Sequence, residues 1–396
     1  MVSCEESMRA LAFSARGQSL IGQEMFKVLE RARHIEEAGV KIFHLELGNP
    51  RLPPPPQIVA GTISSLQRGD VGYTYSAGLP ALREAIAERY SAHHGCALDE
   101  RNVVISPANF LISQFLDLVC NREDRVAFFT PAFPTYWAAA AHIGLAVVAV
   151  PLDAKADYRL TMHDVDVAIA ARPRAILVNS ANNPTGAVYS QSVLDYLAQR
   201  CESLGIWLLS DETYGDIAYG ASFYTLARTG LPHVVVMSSF SKIFSVPGFR
   251  MGYAIAHAAV VNKLTLSNST QLSCLPAFTQ IGCIEGLKVI DDYTAAVRER
   301  FSRTNAEISD LVNRSNLIQC VIPTAGFYVF ADVSAVTDDD MDFSQRLLER
   351  SHVAVTPGRS FGSEYSRHVR VATCGHYDDV REGVVRLIDF ARTLVG

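Results

Sequence analysis

The sequence predicts an α/β protein. It has a large domain with a mostly parallel, seven-stranded sheet covered by helices, and a smaller α+β domain built from both ends of the chain. Three observations predict it. Seven short apolar runs recur between residues 49 and 286 with helical patterns between many of them, the alternation that builds a parallel sheet covered on both faces. The 396 residues are 49% hydrophobic and 19% charged, with a mean hydropathy of +0.13, so large cores are expected and disorder is not. After residue 287 the pattern turns to long charged helices with few strands. The expected division is 1–48 as a segment joining the small domain, 49–286 as the large domain and 287–396 as the small domain.

The elements follow in order. Residues 1–20 read as irregular. From Gly22 to Ala38 apolar residues fall at Met25, Val28, Leu29, Ala32 and Ile35, a helical spacing that Gly39 ends. Lys41 to Leu47 alternates as a short strand. Gly48-Asn49-Pro50 and the run Pro53 to Pro56 read as a stiff, extended linker. The seven strands of the large sheet are expected at 102–106, 125–129, 146–151, 175–179, 206–210, 233–238 and 251–256. Helices are expected at 81–91, 110–119 and 191–203. A long helix should run from Asp291 to about Asn313, with strands at 326–332 and 367–373 and helices near 342–351 and 378–393.

Several function classes are disfavoured. A net charge of −6 and a pI near 6.0 lack the basic footprint of a nucleic-acid binder, and a DNA-binding regulator of related fold is set aside with it. No apolar run approaches the ~18 residues of a membrane span. The start, Met1 to Ser7, is acidic and lacks a signal-peptide pattern. The eight cysteines contain no C-x-x-C pair, so free thiols in a reducing, cytoplasmic setting are expected. His93, His94, His142 and His376 show no ligand spacing, and no metal is expected. Asp338-Asp339-Asp340 reads as a solvated loop.

The chemistry centres on Lys242. The β-branched run His233 to Met237 ends in Ser239 and Ser241, followed by Lys242, an apolar turn with Pro247-Gly248, and Arg250. A lysine among apolar neighbours is pushed toward its neutral amine, which captures carbonyls as a Schiff base. Hydroxyls on one side and an arginine on the other suit a phosphate. Together they read as a site for pyridoxal 5′-phosphate.

In a parallel sheet ligands sit beyond the carboxyl ends of the strands, so those ends carry the remaining candidates. After strand 175–179 comes Asn182-Asn183-Pro184-Thr185-Gly186, either a plain turn or an amide, Asn183, donating to an anionic oxygen. After strand 206–210 comes Asp211-Glu212-Thr213-Tyr214. Asp211 is either a helix cap or a buried partner for a pyridinium nitrogen, and Tyr214 can reach the same oxygen as Asn183. Phe133 is core or a surface for ring stacking. Arg370, in an alternating strand, is solvated or a bidentate fork for a carboxylate. Tyr73 is surface, core or a phosphate ligand.

Taken jointly, these stretches resemble the fold-type I pyridoxal-phosphate enzymes, and among them the class I/II aminotransferases. The likeness runs from about Gln18 to the end. It is carried by Leu47-Gly-Asn-Pro50, Tyr73 with Gly78-Leu-Pro-Ala-Leu-Arg83, Pro131-x-Phe-Pro-x-Tyr136, Asn182-Asn-Pro-Thr-Gly186, Asp211-Glu-x-Tyr214, Ser239-x-Ser-Lys242, Gly248-Phe-Arg250 and Arg370. The resemblance implies that Lys242 forms the internal aldimine and shuttles the proton, and that Asp211 pairs with the pyridine nitrogen. It implies that Asn183 and Tyr214 contact the 3-oxygen, that Phe133 stacks on the ring, and that Ser239, Ser241 and Arg250 hold the phosphate. Arg370 would bind the substrate α-carboxylate, Gly48 would line the entrance, and Tyr73 would reach the phosphate in the neighbouring subunit of a homodimer. The implied reaction moves the amino group of an L-amino acid to a 2-oxo acid.

Two features depart from the simplest version. Where the family carries a small-residue cup for the phosphate, this chain has Pro107-Ala-Asn-Phe-Leu-Ile112. Ala108 and Asn109 still offer amides, while Phe110 is bulky and either reflects drift in an amide-based cup or reshapes the pocket. The stretch Ser241 to Arg250, with Tyr73 and Gly78-Leu-Pro, is also similar to 1-aminocyclopropane-1-carboxylate synthases. That leaves β- or γ-chemistry on an amino acid such as S-adenosylmethionine as an alternative. No second arginine is assigned to a substrate side chain, and Arg16 and Arg359 are positional guesses. Cys374 is either near the pocket or a buried inert thiol.

Overall fold

The computed structural model describes residues 13–18, 20–220 and 222–395. After a short helix at Ala15–Gln18, the helix Glu24–Glu37 leads to β1 (Phe43–His44). The large sheet then takes β2 (Val103–Ile105), β3 (Arg125–Thr130), β4 (Ala146–Pro151), β5 (Ala175–Asn179), β6 (Trp207–Asp211), β7 (Val234–Ser239) and β8 (Gly252–Ile255). Its spatial order is β2-β8-β7-β6-β5-β3-β4. All neighbours pair in parallel except β8, which runs antiparallel to both β7 and β2. The predicted α/β class with a mostly parallel seven-stranded sheet is therefore the observed one.

The strand sequences explain why both faces are covered. Ile176 and Val178 of β5 enter one core with Leu208, Val234 and Val236. Ala175 and Leu177, pointing the other way, enter a second core with Leu209, Val235 and Met237. An apolar residue at every position is what a strand buried on two sides requires. The C-terminal ends of β5, β6 and β7 consequently open on the same edge, where Asn179, Asp211 and Ser239 stand.

The rest of the chain builds smaller sheets. β9 (Gln319–Cys320), β10 (Tyr328–Asp332), β12 (Thr356–Pro357) and β13 (His368–Ala372) form an antiparallel sheet in the order β12-β13-β10-β9. β11 (Val353–Ala354) pairs in parallel with β1. Val28 and Ala32 of the first long helix share a cluster with Leu348 and Ala354, so the N-terminal helix rests on the C-terminal part. The 24-residue helix Ile290–Asn313 supplies Ile308 and Val312 to the core beneath β10 and β13.

Two local expectations are corrected. The proline run is not extended throughout: Pro56 opens the helix Pro56–Arg68, because proline suits the first helical turn, where its missing N–H costs no bond. The first 20 residues are not wholly irregular, since Ala15–Gln18 is helical. Cys4 and the side chain of Arg16 lie outside the described residues.

Candidate active site

A cavity of about 560 Å³ opens at the strand ends, within the size range of small-molecule sites. Every residue given a site role by the family resemblance lines it except Tyr73, which is 92% exposed on the surface.

Lys242 belongs to a single helical turn, Phe240–Ile243, that follows β7 directly. Its Nζ donates to the carbonyl of Gly48 at 2.6 Å. Burial of the amine is the largest influence on it, with Arg370 and Arg250 adding to the effect, and its pKa falls to about 8. The residue faces an open cavity, so part of its surface is accessible although protein surrounds the amine.

Asp211 ends β6 and is buried. Tyr136 donates its hydroxyl to Asp211 Oδ2 at 2.7 Å, and the N–H of Thr213 donates to Oδ1 at 3.1 Å. Burial raises its pKa, and these donors oppose that. Among the described residues no cation pairs with this carboxyl. A positive ring nitrogen placed beside it would supply the missing opposite charge.

Asn179, at the end of β5, ties two strand ends together. Its Oδ1 accepts from Asn183 N–H at 2.8 Å and its Nδ2 donates to the carbonyl of Asp211 at 2.9 Å. Asn183 in turn accepts from Arg370 Nη1 through Oδ1 at 3.1 Å, which leaves its Nδ2 as the donor for the cavity. Tyr214 Oη lies 2.9 Å from Tyr328 Oη, and burial raises the pKa of Tyr214 well above the usual phenol range.

Arg370 is 1% exposed. Inside β13 its side chain points inward, so of the two readings open for a strand arginine the solvated one does not apply. Its Nη2 donates to Glu46 O at 2.5 Å and to Thr356 Oγ1 at 3.2 Å, and its guanidinium lies over the rings of Tyr328 and Phe361 at 4.3 and 5.0 Å. Nε has no partner, and no carboxylate pairs with it among the described residues. A buried cation without a counter-ion is costly unless a ligand completes it, so a carboxylate fits here.

The opposite end of the cavity suits a phosphate. Ala108 and Asn109 open the helix Ala108–Val119, which has no side-chain cap. Uncapped N–H groups at a helix start attract anions. Ser239 and Ser241 line the same end, with Ser239 Oγ accepting from Ser241 N–H at 3.2 Å. Arg250 sits in the left-handed region at φ +57° after the turn Pro247–Phe249 and spends only Nη1 on Pro247 O. Phe110 does not line the cavity, so its bulk does not enter the cup. This donor set, with the buried acid and the amine between them, fits pyridoxal 5′-phosphate.

Sequence reasoning missed several lining residues. Tyr328 opens β10 and marks itself only by its place at a strand start. Asn179 looked like the last residue of a strand. Tyr136 is not itself on the wall; it stands behind Asp211, and its motif alone assigns it no role. Gln23, Met25 and Phe26 also reach the wall, from the first turn of a helix whose core face alone was legible. Arg359 is tied to Asp339 and Asp340 and does not line this cavity. Cys374 is buried, with burial pushing its pKa up to about 12, and it too stays off the wall.

Known proteins share this sequence pattern and fold. The family model described as aminotransferase class I and II matches residues 40–388. A probable aspartate/prephenate aminotransferase of Aquifex aeolicus is 30% identical over 346 residues, covering 85% of this chain and 88% of its own. An arginine–pyruvate transaminase of Pseudomonas aeruginosa is 28% identical over 380 residues, 95% and 96% of the two chains. The solved aspartate aminotransferase of Thermus thermophilus with maleate superposes with a TM-score of 0.91 at 26% identity, covering 96% of this chain and all of that one. With the cavity and its lysine on the same strand ends that the sequence marked, this chain belongs to the class I and II aminotransferases.

Proposed function

We propose that this aminotransferase holds pyridoxal 5′-phosphate in the cavity around Lys242 and passes the amino group of an L-amino acid to a 2-oxo acid there. The observation that carries the reading is the buried, partly neutral amine of Lys242 between an unpaired acid, Asp211, and an anion-binding end. Enzymes of this family work with that cofactor, which supplies an aldehyde and a ring able to accept electrons.

The chain's own residues then divide the work. Ser239, Ser241, Arg250 and the first amides of the helix Ala108–Val119 hold the phosphate. Asp211, steadied by Tyr136 and Thr213, would keep a proton on the ring nitrogen. Asn183 Nδ2 and Tyr214 Oη would hold the 3-oxygen, and Phe133 would cover the ring. Arg370, whose Nε has no partner, would receive the substrate α-carboxylate beside Gly48. Lys242 Nζ, freed from the Gly48 carbonyl, would take the proton from the substrate Cα as general base and hold it as the ammonium until it is given back as general acid.

The working unit is a homodimer in the cytoplasm. Val59, Ile63 and Leu66 form an apolar stripe on the exposed side of the helix Pro56–Arg68, 43%, 50% and 45% accessible, and Val71, Tyr73 and Tyr75 continue it. Spacings of four and three residues put the first three on one face. A second subunit covering this stripe would carry Tyr73 to its neighbour's phosphate. The large domain is 49–286, and 1–48 with 287–396 form the smaller one. Among the described residues no helix is long and apolar enough to cross a membrane.

The test is nitrogen transfer. Protein supplied with pyridoxal 5′-phosphate, an amino-acid panel and 2-oxo acids should produce new amino acid and a new 2-oxo acid. Lys242→Ala should bind the cofactor without its covalent absorbance band and should lose turnover. Full activity in that variant would refute the assignment.

A further inference from the structure

Each donor to the 3-oxygen is itself held by a second residue. For Asn183 that residue is Arg370, whose Nη1 occupies the amide oxygen and leaves Nδ2 as the donor. For Tyr214 it is Tyr328. Their hydroxyls lie 2.9 Å apart, and Tyr214 is the hydrogen-bond partner of the Tyr328 hydroxyl among the described residues. Their rings meet edge to face, with centroids 5.7 Å apart and planes at 76°, and both residues are buried. Both belong to one chain, so this contact stands whatever a second subunit adds to the cavity.

Counting hydrogens sets a direction. A phenol carries one hydrogen to donate and accepts through its lone pairs. Between two phenols either one can be the donor. An anionic 3-oxygen accepts a hydrogen and has none to give, so Tyr214 must direct its own hydrogen there. Tyr328 then has to supply the hydrogen of the bond between the two tyrosines. Donation into Tyr214 polarises its O–H, and hydrogen bonds in such a chain strengthen one another where water is excluded. Tyr328 is held in place for this. Its hydroxyl packs against Gly48, where an added Cβ would lie 1.7 Å away, and its ring lies 4.3 Å from the Arg370 guanidinium.

We propose that Tyr328 is a positioning residue for the reaction: it donates its hydroxyl hydrogen to Tyr214 and so commits the hydrogen of Tyr214 to the 3-oxygen of the cofactor. The inference rests on the role proposed for Tyr214.

The test is an absorbance titration of the full-length holoenzyme without substrate, reading the pH midpoint of the covalent band of the bound cofactor. Hydrogen bonds to a charged oxygen favour its charged form, so a lost or weakened donor raises that midpoint. Tyr214→Phe removes a whole bond to a charged group and should raise it by ~1–2 pH units. Tyr328→Phe keeps the ring and removes only the support, so a rise of ~0.1–0.7 pH unit is expected, the share that one bond in a chain lends to the next. The double variant should match Tyr214→Phe alone, because Tyr328 acts through Tyr214. An unchanged midpoint in Tyr328→Phe, or a further shift in the double variant, overturns the inference and leaves the aminotransferase site standing. An unmoved midpoint in Tyr214→Phe overturns the contact of Tyr214 with the 3-oxygen and this inference with it. A holoenzyme with no such band overturns the assignment of Lys242 as well.

Discussion

Replacing Gly48 by alanine tests the packing of the site directly. An added Cβ would lie 1.7 Å from Tyr328 Oη, 2.7 Å from its Cζ and 3.2 Å from Phe327 Cε2. Carbon atoms in contact prefer ~3.5–4.0 Å, so the tyrosine must withdraw by well over an ångström. It has little room, because its ring is buried, lies 4.3 Å from the Arg370 guanidinium and meets Tyr214 through its hydroxyl. Overpacking of this kind costs ~1–3 kcal/mol, and losing the Tyr214–Tyr328 bond adds ~0.5–1.5 kcal/mol. Urea unfolding of Gly48→Ala should therefore show a loss of ~2–4 kcal/mol, with a raised KM for the amino acid as Arg370 loses its ring. Tyr328→Ala makes space for the methyl group, so the double variant should be less destabilised than the sum of the two singles. Additive losses, or a Gly48→Ala protein with unchanged stability and KM, would refute the close approach on which the argument depends.

Four further outcomes are expected. Capture of pyridoxal 5′-phosphate by the apoprotein should accelerate ~10-fold per pH unit below pH 8 and level off above it, since protonated Lys242 is not a nucleophile; a flat profile from pH 6 to 9 would count against the depressed pKa. The same depression means that between about 8 and 10.5 the unfolded chain holds a proton the apoprotein does not, so Lys242 contributes rising stability with pH across that window, measurable by urea titration. Arg370→Lys should raise KM for the amino acid ~10–100-fold, because an ammonium cannot reproduce the planar fork, and an unaltered KM would remove Arg370 from the carboxylate site. Ile63→Glu should shift sedimentation toward monomer and lower activity with it; an unchanged dimer would place the interface elsewhere.

The sequence exposed the fold well because the large sheet is buried on both faces. Runs such as Ala175–Asn179 and Val234–Ser239 open with four apolar residues, short and bounded as a strand covered on both faces requires. Short strands were less legible: β1 keeps only Phe43–His44 of a longer alternating stretch. The site was legible where chemistry demands a rare residue type at a strand end, as with Lys242, Asp211 and Arg370. It was not legible where an ordinary residue matters through what it touches. Tyr328 earns its place by lying against Gly48, Tyr214 and Arg370, contacts that join residues distant in sequence. Gln23 is one neutral residue in a polar stretch, and only folding shows it between two cavities.

The Asn179 amide has a wider consequence. Through it the backbone at Asp211 is fixed to Asn183, and through Asn183 to Arg370. The partner for the ring nitrogen, the donor for the 3-oxygen and the fork for the carboxylate are thus surveyed from one reference point. The part of the wall that Gln23, Met25 and Phe26 supply hangs on a different part of the chain and takes no bearing from that point. Such an arrangement lets the diet of the enzyme drift while its reaction coordinate stays calibrated, so substitutions that retune selectivity are expected to fall on parts of the wall such as this one and to spare the amide chain.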